Sequence, residues 1–382
     1  MGWKNIRAHC KRNFRQMKIL IITQHILPIQ TPRAIRSTEL IKELARRGHS
    51  VTVYAVLGKY DYSGFQREYN VKIKPIPIHW ELHPYNSDGD TKRTLIDKIL
   101  GHLFRRFEFP LFEFYFRMAK IIKNEAGADV LISIAAPHHI HWGCARAKAK
   151  FPVLFPKTWI ADCGDPFMKN GTTKEHLSMF AQYEKRFCKE CDYITVPIEN
   201  AKDAYYPEFI DKIRVIPQGF DFDLNALGKI EPNNAVPTFA FAGMFYADIR
   251  NPRLLLDYLC TVKQDFLFYV YTRFDSLLVD YADKLKDKLV IKAPIQRNEL
   301  IEVLKTMDFL VNIKNINSPN QLPSKLIDYG IAGRPILDVD PQHPDYKQID
   351  EFLSGNYSSA LKIDNLEDYH IRNVVDKFEA LF

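Results

Sequence analysis

Lys18-Ile-Leu-Ile-Ile-Thr23 is an unbroken apolar run, and the residues after it decide the architecture. Gln24 to Pro32 is a loop, after which Ile35, Leu40, Ile41 and Leu44 recur at the spacing of one helical face until Gly48 stops the pattern. Ser50 to Val56 is a second β-branched run that follows at once. A strand, a helix and a strand in immediate succession predict a parallel pair joined by a right-handed crossover. The expected fold class is therefore α/β.

The alternation returns with a strand at Ala128 to Ile134 and a helix from His138 to Lys150. A strand at Lys157 to Ala161, a helix at Phe180 to Glu190 and a strand at Tyr193 to Val196 complete a doubly wound domain over 17–216. Between 217 and 237 the periodicity lapses into Pro217, Gly219, Gly228, Pro232, Asn233, Asn234 and Pro237, the composition of a hinge. A second Rossmann-like domain over 238–365 opens with Thr238-Phe-Ala-Phe-Ala242 and includes a helix at Arg297 to Thr306 and a strand at Phe309 to Ile313. Residues 366–382 are expected to form a helix that packs back on the first domain. Two such sheets face each other across a cleft, and open parallel sheets bind ligands beyond the carboxyl ends of their strands.

At 382 residues, 46% hydrophobic and 26% charged, the chain is globular and too long for one ordinary core. No stretch approaches the roughly 18 apolar residues of a spanning helix. Residues 1–16 lack the apolar run of a signal peptide, so the expected location is the cytoplasm. Six scattered cysteines read as reduced thiols, and Cys188 and Cys191, a lone C-x-x-C in a helical stretch, as thiols and not as a zinc site. Part of the net charge of +7 crowds into Lys4, Arg7, Lys11, Arg12 and Arg15 of the basic extension 1–16, either a solvated tail or a segment for an anionic membrane surface. Leu103 to Ile122 interleaves Phe104, Phe107, Phe109, Phe112, Phe114, Tyr115 and Phe116 with arginines. Packing on the sheet is the first reading of these aromatics, peripheral contact with the inner face of a membrane the second, and nucleic acid is not an expected partner.

The most specific segment is Gln321-Leu-Pro-Ser-Lys-Leu-Ile-Asp-Tyr-Gly-Ile-Ala-Gly-Arg-Pro-Ile-Leu337. It resembles the donor-site helix of retaining GT-B glycosyltransferases, the large group 1, family-four-like set of bacterial glycosyl- and mannosyltransferases. The resemblance implies that Asp328 receives the ribose hydroxyls of a nucleotide-sugar, a charge-assisted and directional contact. Ser324, Lys325 and Leu326 are the matching start of the helix. Where the family has a second carboxylate this chain has Asn320, which can hydrogen-bond a hydroxyl without carrying charge. The resemblance extends through the loop ending at Pro32-Arg33-Ala-Ile-Arg36, implied to approach the donor phosphates and acceptor, and through Ser133 to His141 and Trp159 to Pro166 as the acceptor-side wall.

It also implies transfer with retention and without a metal or cofactor, so basic side chains must stabilise the leaving diphosphate. Gly243, which lets backbone approach a phosphate, Arg250 and Lys325 are the candidates. The departing phosphate can take the acceptor's proton in such a mechanism, so no protein base is required. His138, His139, Asp162 and Asp165 are the candidate catalytic residues that steady the sugar or acceptor. His138, His141 and Cys144 share a helical face, but three ligands on one helix rarely close a tetrahedral site, and no metal is expected. The expected function is transfer to a glycan or lipid-linked glycan of the cell surface. The alternatives are a non-catalytic sugar-nucleotide or polysaccharide-binding protein and a UDP-sugar epimerase of the same fold.

Overall fold

The computed structural model describes residues 16–78, 106–164, 166–169, 176–223, 231–273, 276–316 and 324–382. Among them, seven strands form the first sheet: β1 (Lys18–Ile22), β2 (Ser50–Ala55), β3 (Lys72–Pro75), β4 (Val130–Ile134), β5 (Thr158–Asp162), β6 (Tyr193–Val196) and β7 (Ile213–Val215). Their order is β3-β2-β1-β4-β5-β6-β7, every pair parallel. The order reverses between β1 and β4, the switch point where ligands approach such sheets.

The helices α1 (Pro32–Arg46), α2 (Ser63–Tyr69), α3 (Phe112–Asn124), α4 (His139–Lys150) and α5 (Phe180–Glu190) flank this sheet. Thr31 caps α1 by accepting from the Ala34 amide, and Pro32 at the first position fits because its missing N–H would have no partner there. Leu40, Ile41 and Leu44 are buried against Val51, Val53 and Ile132. The helix α3 begins only after Pro110, and it turns Phe114 and Met118 into the core while Phe116 stays 56% exposed. Phe112 packs on Trp142 and Tyr183, so packing accounts for part of the aromatic run and leaves Phe107 and Phe116 on the surface.

The second sheet has the order β10-β9-β8-β11-β12, all parallel, from β8 (Thr238–Ala242), β9 (Leu267–Tyr271), β10 (Leu289–Lys292), β11 (Phe309–Ile313) and β12 (Ile336–Val339). Its helices are α6 (Arg253–Leu259), α7 (Val279–Leu285), α8 (Arg297–Lys305), α9 (Ser324–Ala332) and α10 (Tyr346–Leu353). The stacked rings of Phe239, Phe268 and Phe309 fill the face under β8 and its neighbours. The last helix, α11 (Ile371–Glu379), leaves this domain and buries Ile371, Val374, Val375 and Phe378 in the core of the first. No helix among the described residues is long and apolar enough to cross a membrane.

Two chain passages join the halves, one after β7 and one before α11, and they hold each other. The Phe220 amide donates to the Tyr369 carbonyl and the Ile371 amide to the Phe220 carbonyl. The Phe220 ring is buried with Ile301, Ile327 and Ile331 of the second domain.

Candidate functional site

The carboxyl ends of β8 and β9 open onto a cavity of about 430 Å³ between the domains. Ala242 and Gly243 form its floor, Tyr271, Thr272, Arg273, Pro294 and Ile295 one end, and Lys325, Asp328 and Tyr329 of α9 a wall. Gln30, Thr31, Pro32 and Ile35 close it from the first domain. Its size lies within the range of roughly 300–1,000 Å³ typical of small-molecule sites.

Each wall is fixed by local physics. Gly243 has φ +139°, a backbone conformation that side chains disfavour, and it turns the chain away from the end of β8. The Tyr329 hydroxyl accepts from the Ala242 amide and donates to the Val311 carbonyl, so α9 is bolted to β8 and β11. The Lys325 ammonium nitrogen is buried, makes no hydrogen bond among the described residues and lies 4.3 Å from the centre of the Phe241 ring. Burial, reinforced by Arg250, drives its pKa well below the ordinary lysine value, while Asp338 opposes the shift. A group held this way gains most when an anion enters beside it.

Asp328 sits on the wall with Arg297. The Arg297 Nε donates to Asp328 Oδ1 at 2.8 Å, and Nη2 lies 2.5 Å from the same oxygen. Burial pushes the Asp328 carboxyl up and Arg297 pulls it back. Arg250, considered from sequence as a phosphate clamp, is turned elsewhere: Nε and Nη2 donate to Asn315 Oδ1 at 3.0 and 2.6 Å, and Nη1 to the Met244 carbonyl at 3.2 Å. It braces the turn after Gly243. Leu326 packs beneath α9 with Leu304 and Leu310. Ser324 opens α9, and its side chain, Asn320 and Asp165 lie outside the described residues.

On the first domain the candidate residues divide differently. Arg36 is buried, and its Nε and Nη2 donate to the two oxygens of Asp162, each at 2.7 Å. Its Nη1 reaches the Pro217 carbonyl at 2.5 Å. Asp162 is fully buried, accepts also from Thr195 Oγ1 at 2.6 Å and Arg33 Nη1 at 3.3 Å, and despite burial its pKa falls to about 2 because of Arg36 and Arg33. This corrects the sequence reading: Asp162 is an internal counter-ion that locks α1 and the hinge to β5, with no face toward the cleft. A Cβ at Gly164 would stand 1.7 Å from Arg33 Nη2, so a larger residue there would push the Arg33 guanidinium aside.

His139 is corrected as well, because its ring is 1% exposed and packed among Phe112, Trp142 and Phe167. His138 lies beside His141, Phe167 and Phe187 and is also buried. His141 bonds Ser133 Oγ through Nδ1 at 2.8 Å and Cys163 Sγ through Nε2 at 3.4 Å. Cys163, and not Cys144, therefore joins the two histidines, the three donor atoms lying within 4.8 Å of one another. Cys188 and Cys191 are buried free thiols, and burial raises the latter to about 12.

Residues 35–224 match the model of Glycosyltransferase Family 4. The chain has the GT-B glycosyltransferase fold. Among solved structures, a glycosyltransferase from Rickettsia africae aligns with a TM-score of 0.61 at 14% identity, covering 97% of this chain and 95% of that one. The lipopolysaccharide outer core galactosyltransferase WaaB aligns at 0.60 and 12% identity over 96% of this chain and 100% of its own, and TarM at 0.59 and 10% over 96% and 99%. No curated protein matches the sequence. In GT-B terms the cavity lies between the two Rossmann-like domains, and sequence reasoning found Gly243, Lys325, Asp328 and Pro32 on its walls. It missed Arg273, Ile295 and Arg297, which no local pattern distinguishes from surface residues.

A second and larger cavity of about 840 Å³ flanks the first, between the outer face of α1 and the start of α8. Glu39, Lys42, Asp221, Asn298 and Arg372 line it, and Gln30, Ile35 and Arg297 are common to both cavities.

Proposed function

We propose that the protein transfers a sugar from a nucleotide-sugar to a glycan or lipid-linked glycan of the cell surface, with retention of anomeric configuration and without a metal. The observation that carries this reading is the wall of the smaller cavity. A glycine turn and a buried, unbonded lysine stand at one part of it, and a carboxylate at another. The first pair suits a diphosphate, since the amine and the exposed backbone stabilise the charge that grows on the leaving group. The carboxylate suits the vicinal hydroxyls of a ribose. Apolar Pro294 and Ile295 beside Thr272 and Arg273 offer a slot with polar edges for a base. The acceptor would enter past Gln30 to Pro32.

Peripheral contact with an anionic membrane belongs to the same reading. Phe107 and Phe116 are exposed on the α3 side of the first domain, and Arg146 lies over the Tyr115 and Phe116 rings at 5.4 and 5.5 Å. Exposed aromatics beside cations suit the headgroup region.

Slow donor hydrolysis tests the chemistry without knowledge of the acceptor. The protein is incubated with UDP-, GDP-, ADP- and dTDP-sugars in EDTA, and the released sugar is followed by NMR. Release from one α-linked donor class with the α anomer appearing first is the expected result. First appearance of the β anomer excludes retention, and dependence on added magnesium excludes the metal-free route.

A further inference from the structure

Arg297 opens α8, far in sequence from the donor-site helix, yet it makes the contact that defines the carboxylate on that helix. We propose that Arg297 is a positioning residue for donor binding, holding Asp328 ionised and turned so that one carboxylate oxygen stays available to the ribose hydroxyls. The inference rests on the donor-site reading above and extends it to a residue outside the resembling segment.

Three observations on geometry support it. Both contacts from the guanidinium go to Oδ1, so neither occupies Oδ2. The guanidinium carbon lies 4.0 Å from the centre of the Phe220 ring, and that ring is held by the paired chain passages between the domains. Stacking on a fixed ring removes rotamer freedom from the arginine before a ligand arrives. Arg297 is also common to both cavities, so it stands at the edge of the donor site and not beneath it. A carboxylate buried without such a partner would be protonated more readily and would then donate where it must accept.

The remaining charged or titratable side chains lining the cavity, among the described residues, are Lys325, Arg273, Tyr271 and Tyr329. They are unchanged in an Arg297 variant, so their titration cancels in a ratio of affinities. The test is calorimetric binding of UDP, ADP and GDP to the wild type, Arg297→Gln, Arg297→Lys and Asp328→Ala at intervals from pH 8 to pH 5.5. The ratio of the Arg297→Gln Kd to the wild-type Kd is expected to grow by about tenfold or more as pH falls, because the variant's Asp328 takes up its proton at higher pH. Arg297→Lys restores a cation and is expected to flatten the ratio.

A ratio that is the same at every pH, with Arg297→Lys no better than Arg297→Gln, would show that the arginine only packs, and would overturn the proposal while leaving the donor site intact. Failure of the wild type to bind any of the three nucleotides would overturn both readings. Binding by the wild type that Asp328→Ala leaves unchanged would remove Asp328 from the site, and with it the role of Arg297.

Discussion

Arg36 with Asp162 and Arg297 with Asp328 are the same pair of residue types at almost the same distances, one in each domain, and they do opposite things. In the first domain both carboxylate oxygens are taken, by Arg36, Arg33 and Thr195, and the pair is sealed. In the second the guanidinium contacts a single oxygen, and the pair forms part of a cavity wall. Chemistry alone does not make a carboxylate functional. What matters is whether its hydrogen-bonding capacity is spent inside the protein or left for a ligand.

Breaking the sealed pair should have the largest effect on folding. Asp162→Ala leaves Arg36 buried without its counter-ion, and a loss of about 3–5 kcal/mol in urea unfolding is expected. Its pH signature has a definite sign. The Asp162 carboxyl is depressed to about 2, so its stabilisation is present above the unfolded value near ~3.9 and is lost as pH falls through the window between them. Acid titration of Asp162→Asn should lack that component. A loss below about 1 kcal/mol for Asp162→Ala would mean the pair is not the lock described here.

The open pair should show the reverse pattern. Asp328→Ala is expected to cost clearly less in unfolding than Asp162→Ala, because Arg297, left without its counter-ion, still borders the cavity and its water. Nucleotide affinity should fall by roughly 10- to 150-fold, the value of about one hydrogen bond to a charged group. Equal damage to stability and binding would erase the distinction between the two pairs.

Lys325 sharpens the contrast from the cationic side. Its pKa is lowered in the fold, so between that value and the ordinary lysine value the unfolded chain binds more protons, and stability of the free protein rises with pH across the window. Lys325→Met should remove this slope and stabilise the free protein by about 1–3 kcal/mol. A bound diphosphate should draw a proton onto the amine, so wild-type affinity is expected to weaken as pH rises, and the variant should bind weakly at every pH. The smallest expected effect on folding lies outside both pairs. Phe116→Ser should leave unfolding within about 0.5 kcal/mol while reducing sedimentation with vesicles rich in anionic lipid.

The sequence spells out the elements more readily than the roles. The strand at Lys18 to Ile22 and the helix at Phe180 to Glu190 are visible because burial and amphipathicity leave local periods in the chain. The resemblance of its helix draws attention to Asp328, and a glycine after a buried strand marks the turn at Gly243; both residues line the cavity. Asp162 reads as functional in the sequence because it closes a strand before a loop, while its partner Arg36 lies on another element, joined to it only by folding. The burial of His139 is hidden in the same way, since two of the three rings that enclose it, Phe112 and Phe167, come from other segments. Arg297 left no signal, since a cation at a helix start is usually solvated and its meaning depends on Phe220 and Asp328.

The most direct measurement is thermal unfolding of the wild type and Asp328→Ala with UDP, GDP, ADP and dTDP in the presence of EDTA. One nucleotide class should raise the wild-type midpoint, corresponding to about 2.7 kcal/mol at a hundredfold excess over Kd, and should leave Asp328→Ala nearly unmoved at the same concentration. A midpoint that no nucleotide shifts, or that shifts equally in both proteins, would contradict the placement of the donor site in the cavity between the domains.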